Sequence, residues 1–347
     1  MIYEIDPLTD ARWRRFIDRH PRASMFHTPQ WLECLRRTYD YEPVAFASTP
    51  ADQELQDGLL FCRVESWLTG RRLVSVPFSD HCDHLVQDEA VLPALLKEVE
   101  EQNTNHRAKY IELRPLTPHS DGLLASAGFQ ISGRFYHHMM DLRPGPDTLY
   151  IHFHKDCIQR KIRRAEREGL EYRDGRSQEL LKDFYFMMLR TRRRHRLVPQ
   201  PFAWFRNMAD CLGDSMQVRA SYHESRPVAA IITLTEKSRM VYKYGCSDER
   251  FSALGGTQML FWRAIREACS SGLLEFDLGR TECDNAGLVA FKERWGATRR
   301  ELAYWRRPPT RALVQGWNCW RILSTALAFA PLRALQLAGT ILYRHAG

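Results

Sequence analysis

The sequence lacks the short motifs that mark several large enzyme classes. It contains no G-x-x-x-x-G-K-[ST] loop and no G-x-G-x-x-G fingerprint, so nucleotide hydrolysis and a dinucleotide-binding fold lack their main support. It also contains no G-x-S-x-G elbow, and no serine or cysteine stands in a recognisable nucleophile context. Direct transfer between two bound substrates is therefore favoured over a covalent intermediate on the protein.

Closely spaced cysteine pairs are also lacking. The nine cysteines are an odd number and none forms a C-x-x-C pair, which argues against a disulfide framework or a zinc ribbon and favours a reducing compartment. The residues 81–84, His-Cys-Asp-His, resemble a metal cluster, but neighbours on an extended segment alternate faces and no second ligand group stands at zinc spacing. We expect no metal there. Instead, the sequence predicts a loop at the rim of a sheet, in which Asp80 or Asp83 contacts a substrate.

No uninterrupted apolar run is long enough to cross a membrane. The first residues, MIYEIDPLTDARWRRF, carry acids and arginines where a secretory signal needs an apolar stretch. The stretch Ile322 to Tyr343 is lipophilic, but a proline, an arginine and a glutamine interrupt it, and its uncharged run is shorter than the ~20 residues of a spanning helix. We expect a cytoplasmic protein with an amphipathic C-terminal tail, residues 308–347, that contacts the inner face of a membrane peripherally through residues 312–347.

Basic residues are in excess, since Lys and Arg number 50 against 42 Asp and Glu, a formal charge of +8. This balance favours anionic partners such as phosphates, nucleic acid or an acidic lipid surface. Two arginine-rich segments predict helices. The first has apolar residues at helical spacing, Ile158, Ile162 and Ala165, with its charges on another face. The second runs from Glu179 to about Arg194. We expect them to lie side by side and form a positively charged surface; the alternative is that the charges only solvate two helices.

One pattern of elements occurs twice along the chain. A helix, a strand, a short helix, a turn and a second strand follow one another at about 92–142 and again at about 258–305. Short strand candidates precede each block. They lie at 43–47, 59–64 and 73–76, and at 218–222, 228–235 and 240–244. The sequence therefore predicts an α+β fold in two copies, with helices packed on mixed, mostly antiparallel sheets.

The segment 143–147 is the predicted domain boundary, because its two prolines and its glycine continue neither a helix nor a strand. We expect a first domain at 1–143 and a second at 147–307. The second contains a basic helical insertion, at about 156–211, that has no counterpart in the first.

Two features of the second domain are candidates for chemistry. Lys292 follows the strand 276–278 and a polar loop, where a compact positive charge can stabilise the oxyanion of acyl transfer; a solvated surface lysine is the alternative. Gly255, Gly256 and Thr257 open a helix, with Thr257 as the expected N-cap, whose backbone amides could hold a pyrophosphate. Glycine before a helix is also common without any ligand, so spacing alone leaves both alternatives open.

Five segments recur together in one protein family. They are FHTPQWLECL from Phe26, KIRRA from Lys161, TRRRH from Thr191, FDLGRT from Phe276 and FKERWGA from Phe291. In this order and spacing they resemble the FemAB/FemX group of peptidyltransferase-like proteins over about residues 20–306. The resemblance implies two GNAT-like (N-acetyltransferase-like) domains in tandem. Characterised members transfer an amino acid from aminoacyl-tRNA to a peptidoglycan precursor, and some relatives are associated with exopolysaccharide systems or resemble acyl-CoA-dependent enzymes.

The resemblance also implies roles for individual residues. The family's functional lysine maps to Lys292. Apart from the resemblance, Tyr244 and Asp277 are expected to end or flank central strands, and this makes them the candidates that orient the acceptor or relay its proton. The residues assigned to substrate binding are Lys161, Arg164, Arg193, Arg194, Arg280, Phe291 and Asp80. The sequence departs from the family in two ways: it has no long coiled-coil arm, and the GNAT pyrophosphate loop is degenerate at residues 254–257.

Two functions of different classes follow. The first is an acyltransferase or aminoacyltransferase that forms an amide or ester on a phosphate-bearing precursor of peptidoglycan or exopolysaccharide. It would hold no cofactor tightly and would take its acyl group from aminoacyl-tRNA or acyl-CoA. The alternative is a non-catalytic anion-binding module, whose basic helices and lipophilic tail bind nucleic acid or a membrane surface.

Overall fold

The computed structural model describes residues 1–308 and 331–347, and its helices and strands follow the order that the sequence predicts. The strands are β1 (Tyr3–Ile5), β2 (Glu42–Ala47), β3 (Leu59–Val64), β4 (Arg72–Val74), β5 (Ile111–Leu113), β6 (Gln130–Asp141), β7 (Glu171–Gly175), β8 (Met216–His223), β9 (Arg226–Glu236), β10 (Arg239–Ser247), β11 (Glu275–Glu282) and β12 (Thr298–Arg307).

The helices are α1 (Ala11–Arg19), α2 (Pro29–Tyr39), α3 (Leu92–His106), α4 (Asp121–Ser126), α5 (Pro146–His152), α6 (Arg160–Arg167), α7 (Gln178–Arg194), α8 (Phe202–Leu212), α9 (Gly256–Ser270), α10 (Ala286–Glu293) and a C-terminal helix, Leu332–Leu342. Most of the predicted tail, including residues 309–330, lies outside the described residues. None of the helices in the described ranges combines the length and the apolar character needed to cross a bilayer.

The chain forms two compact units. Unit 1 comprises Met1–Arg134, residues 302–308 and Leu342–Gly347. Its strand order is β1-β2-β3-β4-β5-β12, with β4 and β5 parallel and the other neighbours antiparallel. Its apolar core includes Leu92, Leu95 and Val99 of α3. Their spacing of three and four residues places them on one face of that helix.

Unit 2 comprises Phe135–Glu301 and the C-terminal helix up to Ile341. Its strand order is β6-β11-β10-β9-β8-β7, and β10 and β11 are its parallel pair. Helix α9 packs on one face of this sheet, where the Phe261 and Tyr242 rings lie 4.7 Å apart. Helices α7 and α8 pack on the opposite face, where the Phe205 and Tyr244 rings lie 5.2 Å apart. A bulge between Tyr242 and Tyr244 turns the two tyrosines to opposite faces.

The two units share one arrangement of strands, which confirms the predicted α+β fold with two copies of one pattern. In each, two antiparallel strands lead into a parallel pair, and an antiparallel strand follows the pair. That following strand is exchanged between the copies: β6, from the first half of the chain, pairs with β11 in unit 2, and β12, from the second half, pairs with β5 in unit 1. The division after Arg134 therefore falls inside β6, earlier than the boundary expected at 143–147.

A buried histidine connects two loops of unit 1. His27 is fully buried at the end of the 3₁₀ turn that precedes α2. Its Nδ1 lies 3.1 Å from the backbone N–H of Ser24, which needs an acceptor, and its Nε2 lies 2.9 Å from the carbonyl oxygen of Asp83, which needs a donor. These partners fix the neutral tautomer with the proton on Nε2. Burial, which disfavours the charged ring, lowers the pKa of His27 to about 4.

Acid should destabilise the protein through His27. Because the folded pKa lies below the ordinary value of 6.5, protons bind more tightly to the unfolded chain. The contribution is complete above pH 6.5 and is lost as the pH falls towards 4. We expect the free energy of unfolding in urea to fall between pH 6.5 and pH 4 by up to about 1.4 kcal/mol per pH unit for this residue.

The His27→Gln variant is the matched comparison, because its amide can donate and accept but does not titrate in this range. Its stability should fall less steeply with pH than that of the wild type, by about the contribution of one histidine. Equal slopes in the two proteins would show that His27 does not stay neutral in the folded state.

Candidate functional site

The parallel strands β10 and β11 of unit 2 pair over a short distance and then diverge. Their register joins Arg239 to Glu275, Met240 to Phe276 and Val241 to Asp277, and no later position of the two described strands is paired with the other. Each strand is bulged just past this point, β10 against β9 and β11 against β6. Backbone groups of both strands therefore face a gap that opens after Val241 and Asp277.

Side chains at the divergence belong to two faces. Phe276 and Leu278 lie in the apolar core beneath α9, so Asp277 between them points to the opposite face. Tyr244 also lies on that opposite face, with α7 and α8. The structure thus places two of the three predicted catalytic residues on one face of the sheet.

Tyr244 is almost completely buried on β10. Its hydroxyl accepts a hydrogen bond of 2.8 Å from the indole Nε1–H of Trp204 on α8. Helix α8 begins after Pro201, in the helical insertion that the sequence predicts without resolving this helix. The indole therefore fixes the direction of the Tyr244 hydroxyl.

Asp277 forms a close pair with a residue that sequence reasoning missed. Its Oδ1 lies 2.8 Å from Nε2 of His137 on β6, and both side chains are only 1% exposed. The same oxygen accepts a 2.7 Å hydrogen bond from the backbone N–H of Gly279. Gly279 has φ +73°, a conformation that favours glycine, so this residue allows the bulge that brings its N–H to Asp277.

Lys292 is buried on α10 and binds the backbone of β11. Its ammonium donates hydrogen bonds of 2.8 Å to the carbonyl oxygen of Gly279 and 3.0 Å to that of Arg280. The solvated-lysine alternative is therefore wrong, since the side chain is 2% exposed. The lysine fixes the course of β11 just beyond its divergence from β10.

Two further polar groups are buried in this part of unit 2. Neither ring nitrogen of His138 nor the hydroxyl of Thr281 has a hydrogen-bond partner among the described residues. Burial first, and then the nearby charge of Lys292, lower the pKa of His138 to about 4. The ring is thus neutral at physiological pH, which leaves one of its nitrogens able to accept a hydrogen bond.

The predicted pyrophosphate loop has a packing role in the structure. Gly255 is the N-cap residue of α9, with φ +82°, so Thr257 is not the N-cap that the sequence predicts. A Cβ at Gly255 would clash with the backbone carbonyl of Lys161, and a Cβ at Gly256 would lie 2.6 Å from Ser221 Oγ. The glycines therefore let the start of α9 approach α6 and β8 closely.

The two basic helices do not form one surface. Helix α6 packs against α9 through Ile162, whereas α7 lies on the opposite face of the sheet with α8. The expected side-by-side arrangement is wrong because the apolar face of each helix finds a different side of the sheet. Arg164 of α6 pairs at 3.3 Å with Glu168, the residue that follows this helix, and Arg194 at the end of α7 lies 3.6 Å from Glu249.

The remaining predicted substrate residues lie at separate places. Arg193 is exposed on α7, and the Lys161 side chain is partly buried on α6. Arg280 lies over the ring of Phe135 at 4.1 Å, while Phe291 packs into the core with its ring 5.4 Å from that of Phe261. In unit 1, the backbone carbonyl of Asp80 accepts a 2.7 Å hydrogen bond from the Tyr304 hydroxyl.

Comparisons with known proteins agree on the fold. Residues 154–312 match the family model described as an acetyltransferase (GNAT) domain. No curated protein matches the sequence. The chain is similar to the crystal structure of FemX, with a TM-score of 0.70 and 16% identity over 87% of this chain and 96% of FemX.

Two further solved structures are similar over most of the chain. L-PGS from Bacillus licheniformis has a TM-score of 0.55 and 13% identity, covering 91% of this chain and 97% of that one. A tandem GNAT protein from the clavulanic acid biosynthesis pathway has a TM-score of 0.57 and 10% identity, covering 89% and 100%. The chain is therefore an α+β protein with two GNAT-like domains in tandem.

Proposed function

We propose that the protein is an acyltransferase or aminoacyltransferase whose reaction takes place in unit 2, at the divergence of β10 and β11. It forms an amide or ester on a phosphate-bearing precursor of the cell envelope, in a ternary complex without a covalent enzyme intermediate. The GNAT match over residues 154–312 and the structural likeness to FemX and L-PGS support this class of reaction.

The divergence is the observation that carries the proposal. Past Val241 and Asp277, each strand offers backbone N–H and C=O groups that the other does not pair. An extended donor chain can bind such an edge by strand-like hydrogen bonds. Its reactive carbonyl would then lie near the side chains at the point of divergence.

The chemistry needs a group that takes the acceptor's proton. As the amine or hydroxyl attacks the donor carbonyl, a new C–N or C–O bond forms, the bond to the donor carrier breaks, and the proton passes to the carrier. We assign the proton relay to the His137 and Asp277 pair, because the carboxylate stabilises the imidazolium that forms. Tyr244, fixed by Trp204, orients the acceptor.

Lys292 is assigned a positioning role. Its ammonium is bound to the carbonyls of Gly279 and Arg280, so it holds β11 in the course that opens the gap. Its charge also raises the local potential at a site where an oxyanion develops. The direct contact with the oxyanion that the resemblance implies is the competing role for this lysine.

The donor in this proposal is aminoacyl-tRNA or acyl-CoA, and neither is held as a tight cofactor. Exposed arginines at the end of α7, Arg193 and Arg194 among them, would bind phosphates of the donor or the precursor. The protein would work at the inner face of the membrane. Its tail from 312 is the expected contact there, and the described part of the tail exposes Leu337 and Ile341.

The Asp277→Asn variant tests the proton relay. Asparagine keeps the acceptor for the Gly279 N–H but removes the charge that stabilises the imidazolium, so we expect kcat to fall about 100-fold or more with little change in thermal stability. Transfer would be measured from acetyl-CoA and from aminoacyl-tRNA charged with radiolabelled amino acids, to a soluble peptidoglycan precursor and to phosphatidylglycerol.

Asp183→Asn is the matched control, because Asp183 also accepts a side-chain hydrogen bond in unit 2, from the Tyr222 hydroxyl at 2.7 Å, but lies on α7 away from the divergence. It should keep wild-type turnover. Absence of transfer with every donor and acceptor, together with salt-dependent RNA binding, would favour the anion-binding alternative instead.

The Lys292→Met variant tests the positioning role. Methionine fills much of the same space but leaves the Gly279 and Arg280 carbonyls without this donor, so we expect the free energy of unfolding to fall by about 1–3 kcal/mol. The KM for the donor should rise and kcat should fall, since the strand edge that binds the donor is no longer held. Lys292→Arg, which keeps charge and donors, should recover part of both.

The exposed Lys182→Met on α7 is the control for the loss of a lysine, and it should change neither stability nor turnover. A Lys292→Met protein with an unchanged donor KM and a much lower kcat would contradict the positioning role and support direct contact with the oxyanion.

A further inference from the structure

The turn between β3 and β4 in unit 1 exposes two large apolar side chains. Trp67 is 80% exposed and Leu68 is 47% exposed. Every other tryptophan in the described ranges is buried or partly buried. A largely exposed indole beside a half-exposed leucine therefore distinguishes the turn 65–71 from the rest of the described surface.

Hydrogen bonds to Ser66 fix the shape of the turn. The Ser66 hydroxyl accepts hydrogen bonds from the backbone N–H groups of Leu68, at 3.2 Å, and Thr69, at 2.9 Å. The Gly70 N–H donates to the Ser66 carbonyl at 2.7 Å, and Gly70 has φ +86°. These bonds close a tight turn that carries Trp67 and Leu68 at its tip.

The C-terminal residues of the chain support the same turn. The Nδ1 of His345 lies 2.9 Å from the Ser66 hydroxyl, and its ring lies edge-to-face 5.1 Å from that of Trp67. Arg72, itself buried, donates to the His345 carbonyl at 2.9 Å. The residue before His345 is Arg344, whose side chain is exposed.

Three cations lie at or near the turn. Lys109 reaches the Thr69 carbonyl at 3.1 Å, so its ammonium lies at the turn. Burial, and then the nearby charge of Arg344, lower the pKa of His345, whose ring contacts Trp67, so Arg344 adds a second positive charge near the turn. Arg71 is a third, at 3.1 Å from the carboxylate of Glu65, in a pair that is more than half exposed on both sides. The surroundings of the turn therefore carry a net positive charge.

An anionic lipid surface fits this combination. Tryptophan prefers the boundary between headgroups and acyl chains, and lysine and arginine bind lipid phosphates around it. Two apolar side chains at the tip of a turn are far too small a patch for a stable protein interface, which needs about 800 Å² on each partner. They are well shaped for shallow insertion.

We propose that the turn 65–71 docks the protein on an anionic membrane by inserting Trp67 and Leu68 into the interfacial layer, with Arg71, Lys109 and Arg344 on lipid phosphates. The inserted side chains lie in unit 1 and outside residues 312–347, and of that tail only Arg344 takes part. Membrane binding by this turn can be measured without an acyl donor, an acceptor or catalytic turnover. Its test is therefore separate from that of the proposed function.

Binding of the full chain to vesicles tests the proposal. Phosphatidylcholine vesicles with and without phosphatidylserine would be sedimented with the wild type and with the double variant Trp67→Ser and Leu68→Ser. We expect the wild type to partition onto the anionic vesicles, and the double variant to bind at least roughly tenfold more weakly, as loss of one buried apolar side chain implies. Its thermal stability should be unchanged, because both side chains are exposed.

Two control variants separate this contact from others. Leu274→Ser removes a comparably exposed apolar side chain, 46% exposed, from unit 2 and should bind like the wild type. In the C-terminal helix, Leu337→Ser with Ile341→Ser measures the separate contribution of the tail, and it should leave the binding that depends on Trp67 and Leu68 in place.

Three results would overturn the proposal. The first is equal vesicle binding by the wild type and the Trp67 and Leu68 double variant. The second is loss of binding only in the C-terminal helix variant, which would place the membrane contact there. The third is a wild-type dimer by light scattering that becomes a monomer in the double variant, since the turn would then join two copies of the chain.

Discussion

A ladder of hydrogen bonds that stops early controls the geometry of unit 2. Strands β10 and β11 pair up to Val241 and Asp277 and then separate. Three groups on or near β11 maintain the separation: the carboxylate of Asp277 binds the N–H of Gly279, the positive φ of Gly279 bends the strand, and Lys292 binds the next carbonyls. The bulges in both strands and these three contacts together hold the strands apart beyond Val241 and Asp277.

Buried acid–base pairs also select which strands become neighbours. His137 of β6 meets Asp277 of β11, and Arg306 of β12 meets Glu112 of β5, at 2.5 Å. Burial alone would raise the pKa of Glu112, but the guanidinium groups of Arg114 and Arg306 outweigh it, so the pKa lies below its usual value. A buried charge left without its partner is costly, so a wrong strand in either place would be penalised. In both units the paired strand is the exchanged one.

The sequence predicts the individual helices and strands well, but it does not predict which strands lie next to each other in a sheet. Short apolar runs bounded by turn formers predict strands such as β3, and helical spacing adds the helix–strand order of both copies. These patterns do not show that β6 pairs with β11 and β12 with β5, because the pattern of a strand says which face is buried but not which strand lies beside it. His137 was missed for the same reason: its role depends on Asp277, a residue of a distant strand. Lys292 was found, but its burial and its two carbonyl partners follow from packing that spacing does not encode.

The exchange of the two strands makes each half of the chain incomplete as a folding unit. If the chain were divided at the loop near residue 145, the N-terminal piece would keep β6 without β11, and the C-terminal piece would keep β12 without β5. Each piece would present an unsatisfied sheet edge, which favours aggregation. A fragment that ended near residue 145 would therefore be expected to aggregate before it could form a complete sheet.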